Sequence, residues 1–152
     1  MSHKWLHGQN IPIYYTPCHG ANSDALKIAL QKLISIATER TRECAVAVAV
    51  KKVVGAHSVF EKVVGADATE ALRRGRLELN NVRVRLITKR LKRDDFGRGP
   101  VLALYMNPSA LELYVEEGRI TDLIYLPWTE ADMNDFASRF PAAHALTFAG
   151  TT

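Results

Sequence analysis

The chain has 152 residues, of which 47% are apolar and 24% charged. That composition excludes global disorder, and the length allows burial of roughly 70% of the unfolded surface without help from a disulfide or metal. The net charge of +4 is unevenly spread: residues 51–98 carry thirteen Lys/Arg against six Asp/Glu, and residues 99–152 carry two against seven.

Ile11 to Thr16 opens the chain as a strand, β-branched and aromatic, with Pro12 near its start where a missing N–H is tolerated. Residues 1–10 before it read as a frayed N-terminus. A polar loop, Pro17 to Asn22, leads to Ser23, an N-cap candidate with Asp24 in the first turn. Leu26, Ala29, Leu30, Leu33, Ile34 and Ala37 then recur at helical spacing, which predicts a long amphipathic helix to about Arg40. Cys44 to Val50 is a continuous run of small and β-branched residues, the pattern of a strand covered on both faces at the centre of a sheet. Two capping boxes follow, Ser58 with Glu61 and Asp67 with Glu70, with Gly65 between them and Gly75 after. They predict two short helices or one broken at Gly65.

Val82 to Lys89 alternates apolar and basic residues at its start, so this strand has one wet face and lies near an edge. Residues 91–99 form a glycine-punctuated polar loop, and Val101 to Met106 is another buried strand. Asn107 followed by Pro108 starts a helix that ends at Gly118. Ile120 to Leu126 is a strand, Thr129 with Asp132 caps a helix carrying Met133, Phe136, Ala137 and Phe140, and His144 to Phe148 is a last strand.

Strands separated by helices predict a single α/β domain over residues 1–152, a Rossmann-like three-layer α/β/α sandwich of about six mostly parallel strands. The link at residues 90–99 is short for a crossover between parallel neighbours. It favours an antiparallel strand within residues 82–106, unless the two strands it joins are not neighbours.

In such a sheet, ligands bind where strand carboxyl ends meet helix amino ends. The candidate ligand-binding residues there are Thr16, Gly20, Asn22, Ser23, His57, Ser58, Asn107, Ser109, Trp128 and Thr129. If the chain reversed at residues 90–99, these loops would divide between opposite edges and could not form one site. Cys18 and His19 are the catalytic candidates: a thiol and an imidazole in a loop before a helix, whose dipole can lower a thiol pKa. The alternative is a small buried cysteine beside an ordinary cap. Asp24 occupies the position six after Cys18 where a cysteine phosphatase needs arginine, and no Walker loop, G-x-G-x-x-G turn after the first strand or G-x-S-x-G elbow is present. Trp128 is a ligand platform, part of an oligomer contact, or a cap on the core next to the following helix.

Arg73, Arg74, Arg76, Arg83, Arg85, Lys89, Arg90, Lys92, Arg93 and Arg98 form the basic set that could contact an anionic partner. The competing reading is a solvated edge strand protected by its charges, or a basic middle that pairs with the acidic final third within or between molecules.

Two cysteines and five histidines supply no four-donor metal set, and no cofactor motif is read. No signal peptide is visible at the start and no apolar run can span a bilayer, so the expectation is a cytoplasmic protein with no membrane partner. The leading functional expectation is a non-catalytic binding or accessory module for a nucleotide, nucleic acid or acidic protein partner. The alternatives are a small enzyme acting on a phosphorylated or acyl substrate at Cys18-His19-Gly20, and a structural subunit forming a homodimer.

Overall fold

Cys44 to Val48 is solvent-inaccessible on both faces, and the sheet is assembled around it. The computed structural model describes residues 11–88 and 96–146. Its strands are β1 (Ile13–Tyr15), β2 (Glu43–Val48), β3 (Leu77–Leu79), β4 (Val82–Thr88), β5 (Gly99–Leu104), β6 (Ile120–Leu126) and β7 (His144–Ala145). Its helices are α1 (Ser23–Glu39), α2 (Val59–Val64), α3 (Ala66–Arg73), α4 (Leu111–Val115) and α5 (Glu130–Arg139). The frayed-terminus expectation for residues 1–10, the basic residues Lys89, Arg90, Lys92 and Arg93, and the end of the last strand at Phe148 lie outside the described residues.

The strand order is β3-β4-β2-β5-β6-β1-β7, with β3 antiparallel to β4 and all other neighbours parallel. β4 and β5 flank β2 on opposite sides, pairing Arg83 with Glu43 and Val101 with Ala45. The chain therefore does not reverse after β4. The short link steps over β2 between two parallel strands, and the antiparallel partner lies earlier, in β3. Alternation of Leu77, Leu79, Val82 and Val84 suits this hairpin, whose turn residues Asn80 and Asn81 have φ of 52° and 66°.

Side-chain alternation divides the core. Cys44, Val46, Val48, Leu102, Leu104, Ile124 and Leu126 pack under α1 with Phe60 of α2 and Leu72 of α3. Ala45, Ala47, Ile87, Val101, Ala103, Leu123 and Tyr125 face Leu111 and Tyr114 of α4 and Phe136 of α5. Counting only parallel strands in chain order gives 3-2-4-5-1-6, which departs from the dinucleotide-binding order 3-2-1-4-5-6 because β1 lies outside β6.

Some helix starts differ from the sequence reading. Asn22, not Ser23, caps α1, its Oδ1 accepting from the Ala25 N–H at 3.0 Å. The Asp67–Glu70 box does not form. Gly65, at φ 95°, begins α3, and Glu70 instead accepts from Arg74 at 2.7 Å. α4 ends at Val115, before Gly118.

Candidate functional site

Six parallel strands put their carboxyl ends on one edge, so the loops after β1, β2, β5 and β6 share it. α1 leaves β1 over one face and α5 leaves the adjacent β6 over the other, so the two loops diverge between these strands. Such a divergence is where open α/β sheets place ligands.

The β1 loop is tied down there. Thr16 donates its N–H to the Tyr125 carbonyl at 3.2 Å, and Gly20 donates to the Pro127 carbonyl at 3.1 Å. Gly20 has φ 85°, a conformation glycine adopts without a Cβ penalty. Thr16 is fully buried, yet its Oγ1 has no hydrogen-bond partner among the described residues. Cys18 is half-buried and His19 exposed.

Tyr105 enters from β5. Its φ of 61° is unusual for an aromatic residue, and its N–H is held by the Leu126 carbonyl at 2.9 Å. Its ring packs on Trp128 with centroids 4.9 Å apart, while Trp128 itself stays 48% exposed. The Tyr105 hydroxyl is buried and makes no well-formed hydrogen bond among the described residues, although the Asn22 backbone N–H lies near it. Burial, and then the neighbouring Cys18, push its pKa up to about 12, opposed by the backbone N–H of Asn22 at the start of α1. Tyr125 steadies the chain leaving β5 by donating its hydroxyl to the Met106 carbonyl at 2.6 Å.

Of the sequence candidates, Cys18, Asn22 and Trp128 lie beside this tyrosine, Thr16 and Gly20 hold the same β1 loop to β6 and the segment after it, and Ser23 begins the adjoining helix. The others share the edge but are occupied by their own turns. His57, at φ 67°, donates its N–H to Glu61 Oε1 at 3.0 Å, and Ser58 caps α2 through the Glu61 N–H at 3.1 Å. Asn107 accepts from the Ser109 N–H and hydroxyl at 2.9 and 2.8 Å, and Thr129 caps α5 through the Asp132 N–H at 3.0 Å. Tyr105 was missed because nothing in Leu104-Tyr-Met-Asn107 announces a left-handed backbone.

The basic set does not form one uncompensated surface among the described residues. Arg73 and Arg74 pair with Glu70, Arg85 pairs with Glu43 at 3.2 Å, and Arg83 stands across from Glu78 in the hairpin. Arg76 and Arg98 are exposed at separate places, before β3 and before β5. No cluster of three His, Cys, Asp or Glu is arranged for a metal among the described residues, and no described helix is long and apolar enough to cross a membrane.

The two thiols differ. Cys44 is fully buried, and burial followed by the adjacent Glu43 pushes its pKa up to about 12. Iodoacetamide at neutral pH will therefore alkylate Cys18 in the native protein and spare Cys44. Mass spectrometry finding Cys44 modified at the rate of Cys18 would refute this.

Comparison of the chain with protein-family models, curated proteins and solved structures finds no match.

Proposed function

We propose that this is a binding domain whose ligand is a small anion, held at the carboxyl edge of the sheet where α1 begins. The observation that carries this reading is Tyr105: an aromatic residue held at positive φ, with a buried hydroxyl that lies near the Asn22 N–H at the α1 amino end but makes no well-formed hydrogen bond. Strained backbone and unsatisfied buried polar groups both cost stability and concentrate where a ligand completes them. The buried Thr16 hydroxyl adds a second such group at the same loop. The 17-residue α1 offers first-turn N–H groups and a positive dipole end for negative charge, and Asn22 satisfies the Ala25 N–H. Trp128 on Tyr105 supplies an exposed ring for a flat ligand portion.

Binding is followed by Trp128 fluorescence in a Trp5→Phe background, with inorganic phosphate, acetate and nucleoside monophosphates as probes. At least one probe will change the signal saturably. Tyr105→Phe will weaken that binding at least tenfold while stabilising the unliganded protein by about 1 kcal/mol, because it deletes a buried hydroxyl that no well-formed hydrogen bond satisfies. No response to any of the anions, or a Tyr105→Phe variant that binds equally well, would reject the reading.

A further inference from the structure

The seven-residue β4 is paired by the three-residue β3 along only part of its outer side. The hairpin register joins Leu79 with Val82, Glu78 with Arg83 and Leu77 with Val84, and β3 goes no further. Before Leu77 the chain turns away, with Arg76 donating its N–H to the Ala71 carbonyl at 2.8 Å and Gly75 to the Leu72 carbonyl at 3.0 Å. On β4, Arg83 donates its N–H toward β2, to the Arg42 carbonyl at 3.0 Å. Alternation then directs the N–H and carbonyl groups of Leu86 and Thr88 outward, past the end of β3. Neither residue has a strand beside it there among the described residues.

A cleft of about 250 Å³ occupies that position, lined by Leu72, Arg73, Gly75, Leu86, Thr88 and Lys51. Its charge is positive. Lys51 is exposed and makes no ion pair among the described residues, and Arg73 is held by Glu70 only at 3.8 Å while Arg74 takes the closer contact. An open strand edge presents donors and acceptors in alternation, which another extended backbone satisfies and a simple anion does not.

We propose that the carboxyl half of β4 receives an acidic extended peptide segment by strand addition. The segment's backbone bonds to Leu86 and Thr88, and its carboxylates face Lys51 and Arg73. Charge complementarity selects the partner, and the backbone ladder sets its conformation. This surface is separate from the Tyr105 site, so either proposal can fail alone.

The test is fluorescence anisotropy of a fluorescein-labelled peptide of alternating glutamate and valine, with a lysine–valine peptide as control. The acidic peptide will bind saturably and the basic one will not. The double variant Lys51→Glu, Arg73→Glu will weaken binding at least tenfold. Thr88→Pro will abolish it, since proline removes an outward N–H without touching the β2 ladder. In the free protein, the amides of Leu86 and Thr88 will exchange rapidly with deuterium and slow when peptide is added. Equal binding of both peptides, undiminished binding by the double variant or by Thr88→Pro, or protection of both amides without peptide would overturn the proposal. So would displacement of the acidic peptide by a single-stranded oligonucleotide that binds the double variant equally poorly and Thr88→Pro as well as wild type, since that pattern needs charge but no strand edge.

Discussion

Gly99→Ala will destabilise the domain by about 3 kcal/mol, the top of the ordinary range for overpacking. A Cβ at this position overlaps the carbonyl oxygen of Glu43 and crowds Thr41 Oγ1. Neither obstacle can move easily. The Glu43 carbonyl already accepts from Thr41 Oγ1 at 2.8 Å, and Glu43 is the first residue of a strand paired on both sides. Gly99 in turn donates its N–H to the Arg119 carbonyl at 2.9 Å, and the β5–β6 register shifts between Gly99 and Val101. The glycine thus lets the chain enter the sheet after crossing β2, at a close backbone approach no side chain fits. Gly97→Ala is the control. Its Cβ would meet only the far end of the Glu43 side chain, at 3.1 Å, so the cost is limited to loosening that carboxylate from Arg85 and from the Gly97 N–H. Urea denaturation should show a large drop in midpoint for Gly99→Ala and a small one for Gly97→Ala. Equal midpoints for the two variants would refute the steric account.

The second large effect lies at the same amino edge of the sheet, on the neighbouring strand β6. Asp122 on β6 is fully buried, and Arg40 Nη2 donates to both its carboxylate oxygens at 3.0 and 3.1 Å. Thr121 Oγ1 donates to the same carboxylate at 2.7 Å. Arg40 follows the last turn of α1, so the pair fastens the end of that helix to the sheet beneath it. Arg40→Met removes the cation and leaves a buried carboxylate with a hydroxyl for company. The loss should be about 2 kcal/mol, below the usual figure for breaking a buried pair because 54% of the Arg40 side chain is exposed. Adding Asp122→Asn to Arg40→Met removes the stranded charge and should recover at least half of the loss. Thermal denaturation of the single and double variants measures this, and a double variant less stable than Arg40→Met would contradict it.

What the sequence disclosed follows from the range of the forces involved. The periodicity of α1, the doubly buried β2 and the Asn107, Ser58 and Thr129 caps are local patterns, and they appear as local structure. β3 was overlooked because three residues give a strand pattern little room, although Asn80-Asn81 suits a tight hairpin turn. The relation of β4 to β5 was illegible for another reason. A ten-residue link between parallel strands contradicts expectation only if they are neighbours, and the intervening β2 is contributed from far upstream. In the site, the loop from Thr16 to Asn22 and Trp128 were visible as residue types. The strained Tyr105 was not, because its conformation is imposed by packing on Trp128 and by the β6 carbonyl that holds its N–H. Asp122 was hidden inside an otherwise apolar strand whose partner, Arg40, is remote in sequence.

The place of β1 also bears on the order in which this protein can assemble. β1 is three residues long and pairs with β6 and β7, near the opposite end of the chain. The ladder from β2 through β4, β5 and β6 can form without it, whereas β1 must close a loop spanning most of the sequence for few hydrogen bonds. Docking of β1 is thus a late folding event, and its release is an inexpensive opening of the native state. The loop that carries Thr16, Cys18 and Gly20 moves with it, so the proposed anion site would be complete only while this short strand is seated. A ligand bound there would fasten the first strand of the chain to strands formed from its end, and its protective effect on amide exchange should be greatest at Ile13 to Thr16.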